Sequence, residues 1–136
     1  MPKMIFVNLP VRDLAASTAF YVALGGTVNP QFSGETSTSL MFSDTIFVML
    51  LTHAHYGEFT KRPIADAHAA SPLLLALSAD SKEDVDAIVN RAAAVGGSAD
   101  PDPAQDLGFM YNRHVEDLDG YVWEIMWMDP AAIGGA

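Results

Sequence analysis

Glu124 is the side chain of this sequence whose position most clearly requires a chemical partner. It lies between Trp123 and Ile125 in a strand-like apolar run at residues 121–128. An ionised carboxylate in such a place needs a metal ion, a cation or a hydrogen-bond donor, because otherwise burial drives it to take up a proton. Either a functional site lies over this strand, or Glu124 faces water from a sheet edge. We favour the site.

The loop that precedes Glu124 decides which side chain lies opposite it. Residues 117–120 read Asp-Leu-Asp-Gly between two strand-like runs, which predicts a β-hairpin. A type I turn with a glycine bulge puts His114 opposite Glu124, whereas a two-residue loop puts Arg113 there. We favour His114, because the bulged register keeps the apolar side chains of both strands on one packed face.

The pair of His114 and Glu124 has the residue types for acid–base chemistry on a bound ligand. A carboxylate favours the charged form of a neighbouring histidine, and the two groups together can give a proton to a ligand and take one back. We therefore name both as candidate catalytic residues. Two simpler interpretations stay open: a polar anchor that binds a ligand without chemistry, and a cross-strand pair that only satisfies the carboxylate.

A second group of candidate metal ligands follows the first half of the chain. His53 and His55 form a His-x-His motif just beyond a predicted strand. In an extended segment this spacing puts both rings on one side, as some metal sites require. No Asp, Glu or third His is assigned in register with them, so a solvated loop is the favoured interpretation.

Composition excludes several classes of function. The chain has 136 residues, 50% of them hydrophobic, which is enough for one domain with a real core. Its net charge of −10 argues against nucleic-acid binding, because phosphates would be repelled. No apolar run reaches the roughly 18–20 residues that a membrane span needs, and the first residues lead into a strand-like run rather than a signal peptide. The absence of cysteine fits a cytoplasmic protein.

The chain divides into two similar halves joined by a linker. The first half covers about residues 3–52, the linker residues 53–71 and the second half about residues 72–129. Each half is predicted to run β-α-β-β-β, and each helix is followed by a Gly-Gly pair, at residues 25–26 and 96–97. Because neither half can bury its sheet alone, we expect both to pack as one α+β domain.

Capping signals predict where the two helices begin. Asp13 is a plausible N-cap of the first helix. Asp80, with Glu83 three residues later, has the spacing of a capping box at the start of the second.

The local motifs resemble those of a known superfamily. They are Leu-Pro-Val-Arg-Asp-Leu at residues 9–14, Phe-Tyr at 20–21, Leu-Gly at 24–25, Asp-Leu-Asp-Gly-Tyr at 117–121 and Trp-Glu at 123–124. Together they resemble the vicinal oxygen chelate superfamily, which contains glyoxalase I, extradiol dioxygenases, fosfomycin-resistance proteins and bleomycin-resistance proteins. The resemblance covers nearly the whole chain. It implies two βαβββ modules around a U-shaped, sheet-lined cleft, and a homodimer, because relatives often complete their clefts across subunits.

The metal centre of the superfamily is largely missing from this sequence. Metal-binding members hold a divalent ion with one residue from each of four strands, and these positions fall on Phe6, Leu50, Leu74 and Glu124. Only Glu124 carries a donor atom, and one carboxylate cannot supply the three or four ligands of a catalytic metal. The resemblance therefore implies no cofactor, with Glu124 as the one candidate ligand if a metal does bind.

Two functions follow from the resemblance. The first is a binding protein for a small molecule, with an apolar cleft and a polar end at His114 and Glu124. Its ligand-binding residues are predicted to be Phe6, Asn8, Leu50, Leu74, Arg113 and Met126. The alternative is a metal-dependent lyase or dioxygenase, with a divalent metal ion held by Glu124 and by His114 or the linker histidines.

Overall fold

The first half of the chain folds as one sheet covered by one helix. The computed structural model describes residues 2–133. Strand β1 pairs in parallel with β4, and the remaining pairs are antiparallel, so that the strand order of this first sheet is β1-β4-β3-β2. The elements are β1 (Ile5–Val11), α1 (Leu14–Leu24), β2 (Thr27–Val28), a 3-10 turn (Pro30–Phe32), β3 (Ser37–Met41) and β4 (Ile46–Thr52).

The second half repeats this arrangement after the linker. In the second sheet β5 pairs in parallel with β9, which is followed by β8 and β6, and β7 adds to β8. The elements are α2 (His53–Tyr56) in the linker, β5 (Leu74–Ser78), α3 (Lys82–Ala93), β6 (Ser98–Ala99), β7 (Gln105–Asp106), β8 (Met110–Glu116), β9 (Val122–Met128) and a final 3-10 turn (Pro130–Ile133).

The predicted α+β class with two βαβββ modules is confirmed, with one addition. The predicted β-α-β-β-β pattern gives the second half four strands, whereas its sheet has five. The two-residue strand β7 was missed because its residues, Gln105 and Asp106, are polar and exposed and show no hydrophobic alternation. Within residues 2–133, no helix combines the length and the apolar composition that crossing a bilayer requires.

Both modules bury their apolar faces in one shared core. Helix α1 packs on the first sheet, α3 packs on the second, and the two helices pack on each other. Phe42 of the first module stacks on Trp123 of the second, with ring centroids 6.4 Å apart. Each sheet therefore turns one face to the helices and leaves the other face open.

The two helices begin with side-chain caps, of which one was predicted. Asp13 accepts a hydrogen bond from the backbone N–H of Ala16 at 3.0 Å, so the predicted N-cap is confirmed. The capping box predicted at Asp80 is wrong by one residue. Ser81 is the N-cap of α3, and its hydroxyl accepts the backbone N–H of Asp84 at 3.0 Å. Asp84 in turn accepts the N–H of Asp80, the residue before the cap, at 3.0 Å, so the Ser-x-x-Asp spacing forms a shifted form of the capping box.

A buried hydrogen-bond network ties the 117–120 loop to α1. The Tyr21 hydroxyl donates to one oxygen of Asp117 at 2.5 Å, and the indole N–H of Trp123 donates to Tyr21 at 3.0 Å. The other Asp117 oxygen accepts the backbone N–H groups of Asp119 and Tyr121 at 3.0 and 2.8 Å. This network fixes the hairpin that carries Glu124.

Candidate functional site

The hairpin adopts the bulged register. The backbone N–H of Asp117 donates to the carbonyl of Tyr121 at 2.9 Å. Gly120 has φ +98°, a value that side chains rarely allow. The strand pairing places His114 directly opposite Glu124, as the hydrophobic pattern predicted.

His114 lies between two carboxylates. Its Nδ1 atom is 3.1 Å from an oxygen of Asp102, and its Nε2 atom is 4.0 Å from an oxygen of Glu124. A proton on Nδ1 donates to Asp102 and leaves Nε2 free to accept, whereas protonation of both nitrogens gives a cation flanked by two anions. The sequence pattern did not point to Asp102, because that residue comes from a loop whose position depends on the tertiary fold.

A cavity of about 370 Å³ opens beside this pair on the second sheet. Asn112 is buried and shares the strand face of His114, two residues away. Asn112 lines the cavity, and its side-chain amide makes no hydrogen bond within residues 2–133. The lining consists of Leu74, Asp102, Pro103, Gln105, Asn112, His114 and Glu124.

A second cavity, of about 380 Å³, lies on the open face of the first sheet and is mainly apolar. The rings of Phe6 and Phe47 stack in it, with centroids 4.8 Å apart and planes 12° apart. Phe6 is 52% exposed, a large value for a phenylalanine on a strand. Phe32 and Met49 also line this cavity, and the sequence did not single them out. Phe47 and Met49 lie two residues apart on β4, so the two-residue period of a strand could have placed both on one face.

Two predicted ligand-binding residues lie on the wrong face of their sheets. Leu50 is 0% exposed and pairs with Leu9 inside the core, so it does not line a cleft. Arg113 faces α3, where its guanidinium binds Asp86 at 3.0 Å and Asp100 at 2.8 Å. These carboxylates raise the pKa of Arg113 above its ordinary value. Both corrections have one cause, because adjacent residues of a strand point to opposite faces.

The other predicted ligand-binding residues lie on open faces. Phe6 and Leu74 line the two cavities, and Leu74 is 61% exposed. Met126 pairs with Asn112 and is partly exposed. Asn8 shares the face of Phe6 but lines neighbouring cavities near Tyr56 rather than that of Phe6.

The linker histidines do not form a pair. The segment is the short helix α2, not an extended strand, so residues two apart do not share a face. His55 contacts the Thr36 hydroxyl at 3.0 Å and stacks on Phe59. His53 lines a separate cavity with Arg12.

The side chains at the superfamily's ligand positions do not fit a catalytic divalent metal. Phe6 and Leu74 have no donor atoms, and Met49, which replaces Leu50 on the open face, offers only a thioether. Glu124 supplies one carboxylate. Within residues 2–133, no three His, Cys, Asp or Glu side chains come close enough together to hold a metal ion.

Comparison with protein families assigns the class. Residues 3–125 match the model of the Glyoxalase/Bleomycin resistance protein/Dioxygenase superfamily, and the chain belongs to this superfamily. Comparison with curated protein sequences found no match.

Solved structures share the fold over nearly the whole chain. Hypothetical protein SA1046 from S. aureus is 26% identical, with 93% of this chain and 95% of that chain covered and a TM-score of 0.75. A glyoxalase/bleomycin resistance protein/dioxygenase family enzyme from Burkholderia phytofirmans PsJN is 21% identical, with 93% and 99% covered and a TM-score of 0.73. A bleomycin resistance determinant encoded on the transposon Tn5 is 19% identical, with 94% and 99% covered and a TM-score of 0.63. At such identities the last two comparisons establish the fold alone.

Proposed function

We propose that this protein binds a small molecule in a cleft that two copies of the chain build together, without a divalent metal ion. The observation that carries the proposal is the open apolar cavity around Phe6 and Phe47 on one sheet, matched by a polar cavity around His114 and Glu124 on the other. Exposed apolar cavities with a few convergent polar groups are typical of ligand sites. The fold shared with a bleomycin resistance determinant is consistent with this class of function.

A second copy supplies the missing half of the cleft. The two cavities share no lining residue, and they lie on open faces of different sheets. Strands β1 and β5 are sheet edges, and both expose apolar side chains, Ile5 and Phe6 on one and Leu74 on the other. A two-fold rotation that sets β1 of one copy beside β5 of its partner also sets β5 of the first copy beside β1 of the partner. It therefore covers the β1 and β5 edges of both copies. It also joins the Phe6 cavity of one copy to the His114 cavity of the other.

The lining favours a ligand with an aromatic or apolar body and a polar end. The stacked rings of Phe6 and Phe47 offer a face for an aromatic group. The polar end presents carboxylates from Asp102 and Glu124, with the His114 imidazole between them, which suits a hydrogen-bond donor such as an amine or a hydroxyl.

The alternative is a metal-dependent lyase or dioxygenase that holds a divalent metal ion through Glu124. It is the weaker proposal, because the other three positions of the superfamily's centre carry Phe6, Met49 and Leu74 in the cleft. A relocated centre at His114 would need Asp102 and Glu124 to turn toward one ion. In the structure they lie instead at opposite nitrogens of the His114 ring.

A thermal-shift screen of small aromatic amines and alcohols tests the binding proposal. We expect a compound that raises the melting temperature and whose dissociation constant rises about tenfold in Phe6→Ala, the effect of removing a buried aromatic contact. Phe109→Ala is the matched control, because Phe109 is 49% exposed and lines neither cavity. Equal loss of affinity in both variants, or no stabilising compound in the screen, contradicts the proposal.

A further inference from the structure

A cavity beneath the linker lies apart from the cleft proposed above. It has two compartments, of about 250 and 270 Å³, which share Pro10, Ile64, Ala65 and Tyr121 in their walls. We call the two together the linker cavity. Neither compartment contains Phe6, His114 or Glu124, so the proposed function does not use this space.

Charges of both signs line the linker cavity and do not pair with one another. Asp66, Asp119 and Arg12 line the first compartment, whereas Arg62 lines the second, which has no acidic residue in its wall. Asp119 accepts hydrogen bonds from the backbone N–H of Arg12 at 3.0 Å and from the Ser17 hydroxyl at 3.5 Å, and Asp66 accepts one from the backbone N–H of His68 at 3.0 Å. Within residues 2–133, no ion pair within 4.0 Å involves any of the four Asp and Arg side chains. One compartment therefore has an excess of acidic groups, and the other has an excess of basic groups.

Tyr121 adds an independent sign of a ligand. Its side chain forms part of the wall between the compartments and is only 7% exposed, yet its hydroxyl makes no hydrogen bond within residues 2–133. No buried side-chain nitrogen or oxygen of that part of the chain is without a partner, and Tyr121 lines both compartments, which fits a hydroxyl that faces the cavity. A nearly buried donor without a protein partner is suited to a bound polar group.

We propose that the linker cavity binds a small amino carboxylate, with its ammonium group between Asp66 and Asp119 and its carboxylate at Arg62. A zwitterion matches both compartments at once. It also avoids the repulsion that a simple anion meets from a chain with a net charge of −10. The Tyr121 hydroxyl and the neutral polar side chains of Asn8 and Thr60 supply further hydrogen bonds along the cavity.

The test uses amino carboxylates of increasing length, from glycine through γ-aminobutyrate to ε-aminohexanoate, titrated into the full chain by protein NMR. Hexanoate and hexylamine carry one charge each and serve as matched probes. We expect at least one amino carboxylate to shift the Tyr121 amide signal and to bind about tenfold more tightly than either single-charge probe, the value of one charge-assisted hydrogen bond.

Four variants locate the two ends of the ligand. Arg62→Gln and Asp66→Asn should each weaken binding about tenfold, because each removes one charge partner. Lys61→Gln and Asp44→Asn make the same charge changes outside the linker cavity and should leave affinity within about twofold. Equal binding of hexanoate or hexylamine overturns the proposal, as do equal effects in all four variants or no shift with any amino carboxylate.

Discussion

Two acidic side chains of the β8–β9 hairpin differ in what surrounds them. Asp117 is nearly buried and accepts hydrogen bonds from the Tyr21 hydroxyl and from two backbone N–H groups. Glu124 lines a cavity, and within residues 2–133 its one ion-pair contact is with His114, at 4.0 Å. A carboxylate whose acceptor positions are filled stabilises the fold, whereas one with free positions can bind a ligand.

The residue-scale prediction for the buried network concerns Tyr21→Phe. This change removes the donor to Asp117 and the acceptor of the Trp123 indole, both inside the core. Leaving these groups without partners should lower the free energy of unfolding by about 2–3 kcal/mol in urea denaturation. Tyr111→Phe is the control, because Tyr111 donates to the half-exposed Asp86, and it should lose less than about 1 kcal/mol. Equal losses contradict the account.

Asp117 also predicts a pH dependence of stability. Burial raises the pKa of Asp117, so the folded chain holds its proton more tightly than the unfolded chain does. The stabilisation that comes from this tighter proton binding is present below the pKa of the unfolded chain, about 4. It is lost as the pH rises through the raised pKa of Asp117 in the folded chain.

The comparison that isolates this effect is wild type against Asp117→Asn. Between about pH 4 and pH 7, wild type should lose stability relative to the variant, measured as the difference in free energy of unfolding. Lowered pKa values at Asp100 and Asp106 act in the opposite direction and cancel in this difference. A difference that is constant, or that favours wild type as the pH rises, contradicts the account.

At the scale of elements, the hairpin loop packs against the linker. The space beside Gly120 is filled by the linker backbone, since a Cβ atom there would lie 2.6 Å from the nitrogen of His68 and 2.7 Å from the carbonyl carbon of Ala67. His68 also contacts the carbonyl oxygen of Leu118 through its Nε2 atom at 3.2 Å. The linker therefore helps to hold the loop that sets the position of Glu124.

Gly120→Ala tests this packing. The substitution combines an unfavourable positive φ with the clash against the linker, so the free energy of unfolding should fall by at least about 2 kcal/mol in urea denaturation. Gly34→Ala is the control, because nothing lies within 4 Å of its Cβ position, and it should change stability by less than about 0.5 kcal/mol. A mild effect at Gly120 would show that the loop moves freely.

The parts of the site that the sequence predicted are those fixed by local structure. His114 and Glu124 belong to one hairpin, and a four-residue loop determines their register. Phe6 and Phe47 lie on parallel strands with a helix and two strands between them, and no turn determines their pairing. The resemblance placed Leu50 in the cleft, but the register of β4 puts it on the packed face of the sheet. Asp102 could not be found, because a loop residue carries no periodicity.

In the whole molecule, the two modules share a core but leave the edge strands β1 and β5 uncovered. Ile5 on β1 is 57% exposed and would lie against β5 of the partner in the proposed dimer. A charge there should raise the dimer dissociation constant by at least about tenfold, because burying an unpaired charge is costly. Ile5→Glu should therefore sediment as a monomer at concentrations where wild type is a dimer.

The control for this prediction is Val95→Glu. Val95 is an exposed apolar residue between α3 and β6 and belongs to neither β1 nor β5, so its substitution should leave the dimer intact. A wild-type chain that sediments as a monomer contradicts the proposed dimer, and so does an Ile5→Glu variant that remains a dimer.

Calorimetric titration of the metal-stripped chain with Mn²⁺, Fe²⁺, Ni²⁺ and Zn²⁺, for wild type and Glu124→Gln, determines whether the cleft holds a metal ion. A cleft whose superfamily ligand positions carry Phe6, Met49 and Leu74 predicts no stoichiometric metal binding by either protein. One metal ion bound per chain by wild type and lost in Glu124→Gln would contradict the account and make Glu124 a ligand of a metal centre.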